Sequence, residues 1–441
     1  MKILFLILIY FFIFASCFVF LVPPFEANDE PDHLNYINFI AKNKSLPVQN
    51  IESLRVEKEG HQFPLYYILG AGVVYIFNSN SVGYNVIPNK NNVNFGGKEN
   101  LVPVYNHVLN NIFNEKYDKI LFFTLRFFQV FLSVLNLFFI FKIAEFYFFD
   151  LKWKLLTTFI AGAIPQFAFV SAYINNDAFA NLISSLVIFS FLSFIQGKTV
   201  KSIIILSIVF AFGLITKKTI FFFIPAIFFL IVIMMLRKKI NLKEVAFLMG
   251  FVAISSLLIA SWFFIRNINL YNDVFLTQVE MKTVPYYVDA KSLFSFYFIY
   301  PFIPGLFGSL WGVFGWMNVA LPFFIYILLF LFCAVMFISV AKNVSMQKIM
   351  NEKILFAVSC IILCIAGVVF YNLSYSQHQG RFLFPVISFI SIFMVYGVKF
   401  LTEKFERENL IMILVISFFV FVDIVSIFTL YSFYNNLSVY L

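Results

Sequence analysis

Charge is what this sequence has least of. Only 12% of its 441 residues are Asp, Glu, Lys or Arg, about half the share found in a soluble domain. A globular protein with a fully solvated surface is excluded. Cysteine is scarce as well: Cys17, Cys333, Cys360 and Cys364 are the only four, and each falls inside an apolar run. Thiols so placed pack as small hydrophobes, so neither a disulfide framework nor a cysteine metal site is expected. Alternation of apolar and polar residues is missing too, which excludes a transmembrane β-barrel. The net charge of +9 does not point to nucleic acid, because the basic residues flank apolar runs and membrane topology accounts for them.

In place of charge the chain carries apolar side chains. They make up 62% of it, 66 Phe among them, with a mean hydropathy of +0.91. Only helices or closed barrels satisfy the backbone in lipid, so the expected fold is an all-α polytopic membrane protein, a single membrane domain over 1–441. Windows of about 20 residues predict eleven spans: 3–22, 120–146, 153–173, 178–196, 202–216, 219–236, 245–265, 320–341, 353–373, 383–402 and 409–434. The first is read as uncleaved, although Phe14-Ala15-Ser16-Cys17 faintly resembles a lipoprotein cleavage site.

Basic residues orient the bundle. Lys2 falls on the same side as Lys142, Lys152 and Lys154; Lys198 and Lys201; Arg237, Lys238, Lys239 and Lys243; Lys342, Lys348 and Lys353; and Lys399, Lys404 and Arg407. That side is expected to be cytoplasmic. The chain then sits in the cytoplasmic (inner) membrane with its N-terminus inside and its C-terminus outside.

Two long loops are left facing outward, 23–118 and 266–319. The first opens with Pro23-Pro24-Phe25-Glu26-Ala27-Asn28-Asp29-Glu30-Pro31-Asp32-His33, four carboxylates and a histidine directly after a span. Carboxylates so close to hydrocarbon are costly unless solvated or used. Asp29 can cap a helix there, Pro31 suits its opening turn, and Leu34, Ile37, Ile40 and Ala41 repeat at helical spacing, predicting a helix in the interface. Phe63–Phe77 predicts a second interfacial or re-entrant helix. The Asn/Gly-rich 78–100 reads as a flexible excursion.

The remaining polar residues near span ends gather on the same leaflet. Arg126 lies near the outer end of the second span, Asn175-Asn176-Asp177 forms an outer turn, and Lys217 with Lys218 forms another against the charge trend. Arg266 and Arg381 end and open spans at that face. Only Asp423 is placed toward the middle of a span, where pairing with a neighbouring helix is expected. Each has a plainer reading. Asp29 and Glu30 serve equally as helix caps, Asn175-Asn176-Asp177 as an ordinary turn, and the lysines and arginines as span-end anchors. His33 and His61 read as solvated interfacial histidines, and Trp262, Trp311 and Trp316 as aromatic-belt residues.

Several of these pieces together resemble the GT-C superfamily of integral-membrane glycosyltransferases. They are Asp29-Glu30-Pro31-Asp32-His33 with Leu46-Pro47, His61-Gln62-Phe63-Pro64-Leu65-Tyr66-Tyr67, and Pro165-Gln166 leading to Asn175-Asn176-Asp177. Further on come Gly213-Leu214-Ile215-Thr216-Lys217, Trp262-Phe263-Phe264-Ile265-Arg266-Asn267 and Gln379-Gly380-Arg381-Phe382-Leu383-Phe384-Pro385. The sequence is most similar to bacterial and archaeal members related to protein O-mannosyltransferases and lipid A aminoarabinose transferases. The resemblance implies a polyprenyl-phosphate-linked sugar as donor and a lipid, polysaccharide or protein as acceptor. It implies catalytic carboxylates at Asp29, with Glu30 beside it, and Asp177. Donor-phosphate contacts would come from Lys217, Arg266, Arg381 and Arg126, and pocket residues would be His33, His61, Gln62, Tyr66, Asn176 and Gln379. Aminoarabinose transferases carry a lysine just before the proline of the second motif, where this chain has Phe63, so His61 or another loop would supply that contact. The cofactor expectation is open between none and one divalent metal ion. Two other functions fit many spans and large outer loops: a lipid-linked saccharide flippase, for which Asn136, Asn181 and Asp423 offer the main intramembrane polarity, and an envelope polysaccharide polymerase or ligase.

Overall fold

A computed structural model describes residues 2–49, 59–86, 112–197, 199–283, 291–343 and 350–436. Lys198, Lys348 and the Asn/Gly-rich stretch beyond residue 86 lie outside them. The chain begins with α1 (Lys2–Leu21), then α2 (Glu30–Asn43) and α3 (Leu65–Ile76). Next come α4 (Lys116–Ala144), α5 (Leu151–Gly162), α6 (Pro165–Val170), α7 (Asp177–Gly197) and α8 (Val200–Leu214). A 3-10 turn from Lys218 leads into α9 (Phe223–Leu236), followed by α10 (Leu242–Ile259), α11 (Ser261–Tyr271), α12 (Thr277–Thr283) and α13 (Ile303–Trp311). A short antiparallel hairpin, β1 (Val313–Phe314) and β2 (Val319–Ala320), precedes α14 (Phe323–Asn343) and α15 (Glu352–Ser374). A second 3-10 segment, Gly380–Val386, opens α16 (Ile387–Phe405), and α17 (Glu408–Asn436) ends the described chain.

Among the described residues nine helices are long and apolar enough to cross a membrane. The expected span 153–173 is two helices. Pro165 has no N–H to continue the ladder and excludes helical backbone before it, and Ile164 is extended at φ −87°, ψ 112°. The 202–216 run is the 15-residue α8, and 245–265 is divided between α10 and α11. Both helices expected in the first loop form, as α2 and α3. Leu34, Ile37, Ile40 and Ala41 are all buried along one side of α2.

The ends of the long helices sort into two sets. The C-terminal end of α1, the starts of α7 and of the α9 and α16 segments, and the ends of α8 and α15 all meet near the acidic stretch, as the contacts described below show. The basic residues of the short connections therefore fall at the opposite ends, from Lys142 and Lys152 through Arg237–Lys239 to Lys353 and Lys404. Between the two ends runs one continuous apolar core rich in Phe pairs, such as Phe191 with Phe356 and Phe167 with Phe384. A second small cluster, Phe63, Ile215, Ala260, Phe263, Leu276 and Val279, packs the residues before α3, the end of α8, α11 and α12 together.

Two of the three tryptophans read as belt residues are core residues instead. Trp311 is fully buried. Trp316 is nearly so and donates its indole N–H to the Phe25 carbonyl at 3.0 Å, because the hairpin folds back onto the acidic stretch. Trp262 is exposed. Asp423 pairs as expected, accepting from Tyr10 O–H at 2.5 Å and joining α17 to α1.

α14 and α16 approach each other closely along their backbones. A Cβ at Gly397 would lie 2.9 Å from Met336 Cα, and Ser339 Oγ donates to the Gly397 carbonyl at 3.0 Å. Small residues permit this contact in lipid. Gly397→Leu is expected to cost about 1–3 kcal/mol by overpacking, read as a lower thermal-unfolding midpoint in detergent, with Gly397→Ala intermediate. An unchanged midpoint for Gly397→Leu would contradict the packing.

Candidate active site

The site is built around a buried ion pair between α2 and α4. Arg126 donates from Nε to Glu30 Oε1 at 2.8 Å and from Nη2 to Oε2 at 2.6 Å, with both side chains wholly buried. Its other N–H groups reach the carbonyls of Val19 (2.9 Å), Val22 (2.7 Å) and Pro23 (3.1 Å), where α1 ends. Glu30 in turn accepts the backbone N–H of Ile174 at 3.0 Å and of Phe25 at 2.9 Å. All five guanidinium donors and four carboxylate acceptor positions are thus in use. The catalytic role expected beside Asp29 for Glu30, and the phosphate role expected for Arg126, give way to a structural one, because neither has a hydrogen-bonding position left for substrate.

One residue earlier the environment changes. Asp29 stands at the helix-start position, but its backbone is left-handed (φ 59°, ψ 10°) and its side chain makes no capping bond. Its carboxylate is 36% exposed and lies 3.8 Å from Arg381 Nη2. Arg381 is buried and spans two acids, since its Nη1 is 3.3 Å from Asp177 Oδ2 and donates to Tyr173 O–H at 2.9 Å. Unlike Arg126 it keeps unused donors: Nε has no partner among the described residues, and Nη2 is too far from Asp29 for a hydrogen bond. Asp177 also pairs with Lys217, whose Nζ donates to Asn176 Oδ1 at 2.8 Å. Asn175 sets this turn by accepting the Asp177 and Ala178 N–H groups at 2.7 and 3.3 Å, capping α7. Gly380 sets Arg381 in place, because its Cα packs so closely on Leu310 that a Cβ would sit 2.2 Å from the Leu310 nitrogen.

The second motif joins from the other side. Leu65 N–H donates to the Ile215 carbonyl at 3.1 Å, tying α3 to the Lys217 turn. Asn176 Nδ2 donates to Gln62 Oε1 at 3.1 Å, and Gln62 Nε2 lies 3.2 Å from His61 Nε2. His33 and His61 are buried rather than solvated. His33 Nδ1 is 2.8 Å from Tyr67 O–H. Burial first, then the Lys217 charge, pushes its pKa down to about 3, which favours the neutral ring. Tyr66 is fully buried and takes the Gln129 amide N–H, beneath the cluster. Gln379 neighbours the site through Arg381, its buried Oε1 without a partner among the described residues.

Arg266 does not join. It donates to the Leu46 and Pro47 carbonyls at 3.3 and 2.7 Å and fastens that loop to α11. Phe63, at the lysine position of the aminoarabinose-transferase motif, is buried among Phe221, Phe263 and Phe264. Lys218 pairs with Glu280, which also accepts from Tyr371 O–H at 3.3 Å, tying α12 and the end of α15 to the same face. No three His, Cys, Asp or Glu side chains among the described residues come together as metal ligands.

Residues 110–263 match the family described as dolichyl-phosphate-mannose-protein mannosyltransferase. The fold is similar to that of ArnT from Cupriavidus metallidurans bound to undecaprenyl phosphate, with 13% identity, a TM-score of 0.53, and coverage of 89% of this chain and 60% of that one. The likeness is one of fold. The apo state of the same ArnT aligns at 12% identity and a TM-score of 0.47 over 89% of this chain and 59% of its own. The chain spans about three-fifths of the length of ArnT. No curated protein sequence matches.

Two residues near the cluster escape a reading from sequence. Tyr173 lies four residues before Asp177, in the turn between α6 and α7. Glu59 lies two residues before His61. Burial first, and then the nearby Asp29 and Asp32 carboxylates, push its pKa up to about 8. The folded chain thus holds a proton that an unfolded carboxyl releases near pH 4.5, so raising the pH from about 5 to 8 destabilises it. The expected result is a thermal midpoint that falls across that window in the natural protein and is flatter in Glu59→Gln. Equal slopes would exclude Glu59 as the source.

The saturated pair gives a second expectation. Arg126→Met leaves Glu30 buried without a counter-charge, which costs about 3–5 kcal/mol and is read as loss of folded protein on size exclusion. Arg126→Met with Glu30→Gln is expected to recover part of it. Failure of the double variant to recover anything would mean that the backbone bonds, not the charge, dominate.

Proposed function

We propose that this chain is a glycosyltransferase that moves a sugar from a polyprenyl-phosphate donor to an acceptor hydroxyl at the outer face of the cytoplasmic membrane. The observation that carries the reading is Asp29: an accessible carboxylate 3.8 Å from a buried arginine that keeps unused donors, at the membrane end of the bundle. The undecaprenyl phosphate in the ArnT structure and the mannosyltransferase match support the donor class.

The chemistry follows from the placement. The acceptor O–H forms its bond to the anomeric carbon and gives its proton to Asp29. The anomeric carbon–oxygen bond breaks, and its electron pair leaves on the phosphate, which becomes polyprenyl phosphate. Arg381 and Lys217 meet that growing negative charge as a prepositioned pair. Asp177 holds both cations on one carboxylate and so acts by placing them. A single displacement inverts the anomeric carbon.

Asp29→Asn is expected to lower sugar transfer in membranes about 10²–10⁴-fold, the usual range for a general base, with donor binding unchanged. Arg381→Gln should instead weaken donor binding. Transfer at the natural rate in Asp29→Asn would defeat the proposal, and retained lipid translocation with no transfer in any variant would favour a flippase.

A further inference from the structure

Three helical segments run from the acid–cation cluster to a second cleft. α7 starts at Asp177 and ends at Gly197; the α9 segment starts at Lys218 and ends at Leu236; α15 returns from Glu352 past Tyr371. At about 1.5 Å per residue each covers about 30 Å, the thickness of the bilayer's hydrocarbon. At the far ends lies a cleft of about 480 Å³ lined by Ile195 and Met234 and by Lys238, Lys239 and Lys353.

Its charge is unbalanced. Glu352 is the single carboxylate lining it, and that group is already shared by Arg237 Nη1 and Lys239 Nζ, each 2.8 Å from Oε1. Lys353 Nζ donates to the Phe146 carbonyl at 3.2 Å. Lys238, held at a left-handed φ of 56°, has no polar partner among the described residues. α15 also begins here, Asn351 accepting the Lys353 N–H at 2.9 Å, so the positive end of the helix dipole adds to the field.

We propose that this cleft binds the headgroup of an anionic membrane phospholipid. The lysines suit a phosphate, and Ile195 and Met234 suit the first carbons of an acyl chain. A basic pocket between spans at the membrane boundary is suited to such headgroups, whereas a zwitterionic lipid brings a cation of its own and gains less. The proposal is independent of sugar transfer.

Native mass spectrometry of the full chain in detergent tests it, titrating phosphatidylglycerol against phosphatidylcholine. Phosphatidylglycerol is expected to bind at least about tenfold more tightly. Each lysine near an anionic headgroup contributes about fivefold, so Lys238→Asn should weaken phosphatidylglycerol by about that factor and leave phosphatidylcholine unchanged. Asparagine tolerates the left-handed backbone, and Lys238 has no ion pair to lose, so this variant folds if any does. Lys238→Asn with Lys239→Gln and Lys353→Gln should abolish the preference, while Lys154→Gln with Lys404→Gln, on the same membrane face, should not. Equal binding of the two lipids overturns the proposal. So does an equal loss in both sets of variants, which would mark a diffuse basic surface, and so does full competition by soluble glycerol phosphate, which would mark a site for a free anion.

Discussion

The Glu30–Arg126 pair is the constraint on which the site depends. Removing both charges from water carries a penalty of several kcal/mol per ion. That penalty is offset here because every acceptor position and N–H is used, five of the bonds going to backbone groups. The backbone partners matter for geometry more than for energy. They come from the end of α1, from Phe25, and from Ile174 just before α7. Asp29 is one residue from the locked carboxylate, and Tyr173, Asn175 and Asp177 flank the locked Ile174 amide. A neutral apolar pair would pack as well but would leave these segments free to slide, so what the charges contribute is register.

Bonding to the chain itself separates scaffold from site across the rest of this face. Arg126 is saturated by Glu30 and by carbonyls of the chain, Arg266 donates from Nη2 to two more carbonyls, and both hold loops. Arg381 is as buried as a structural arginine yet is incompletely bonded, and a buried donor without a partner is costly unless something else meets it. Lys217 and Arg381 share Asp177, so an arriving phosphate would find two cations already side by side. On the other side stand Asp29, Asp32 and the protonated Glu59. An anion bridging the two sides would put its charge at the cations and its other end near the partly exposed Asp29.

Much of this was legible in the residues. The i, i+3, i+4 apolar spacing after Pro31 locates α2, and the charge pattern at span ends separates one face of the bundle from the other. The division of labour between Asp29 and Glu30 was not legible. Adjacent acids in one motif look equivalent until an arginine 96 residues away claims one of them. Glu59 gave no signal because it lies in a polar loop without periodicity, and its proton affinity depends on Asp29 and Asp32 packing against it. The buried Trp311 and Trp316 were misread for a related reason: a tryptophan near a span end faces lipid or core according to where a later hairpin folds. Pro165 was visible in the sequence, but the apolar run around it was long enough to read as one span.

The distribution of polarity through the depth of the bundle bears on function as well. Within the spans Asp423 is tied to Tyr10, while Gln129, Ser133, Asn136 and Asn181 are buried amides and hydroxyls. Several of their atoms lack protein partners among the described residues, which suits internal water, and small polar side chains let helices pack closely in lipid. Moving a charged headgroup across the membrane calls for ionisable groups along its path, and these neutral side chains do not supply them. Ionisable groups collect instead at the two ends, mixed in sign at one and mainly basic at the other. The long helices between them hold these two groups of charges about 30 Å apart, roughly the thickness of the bilayer's hydrocarbon.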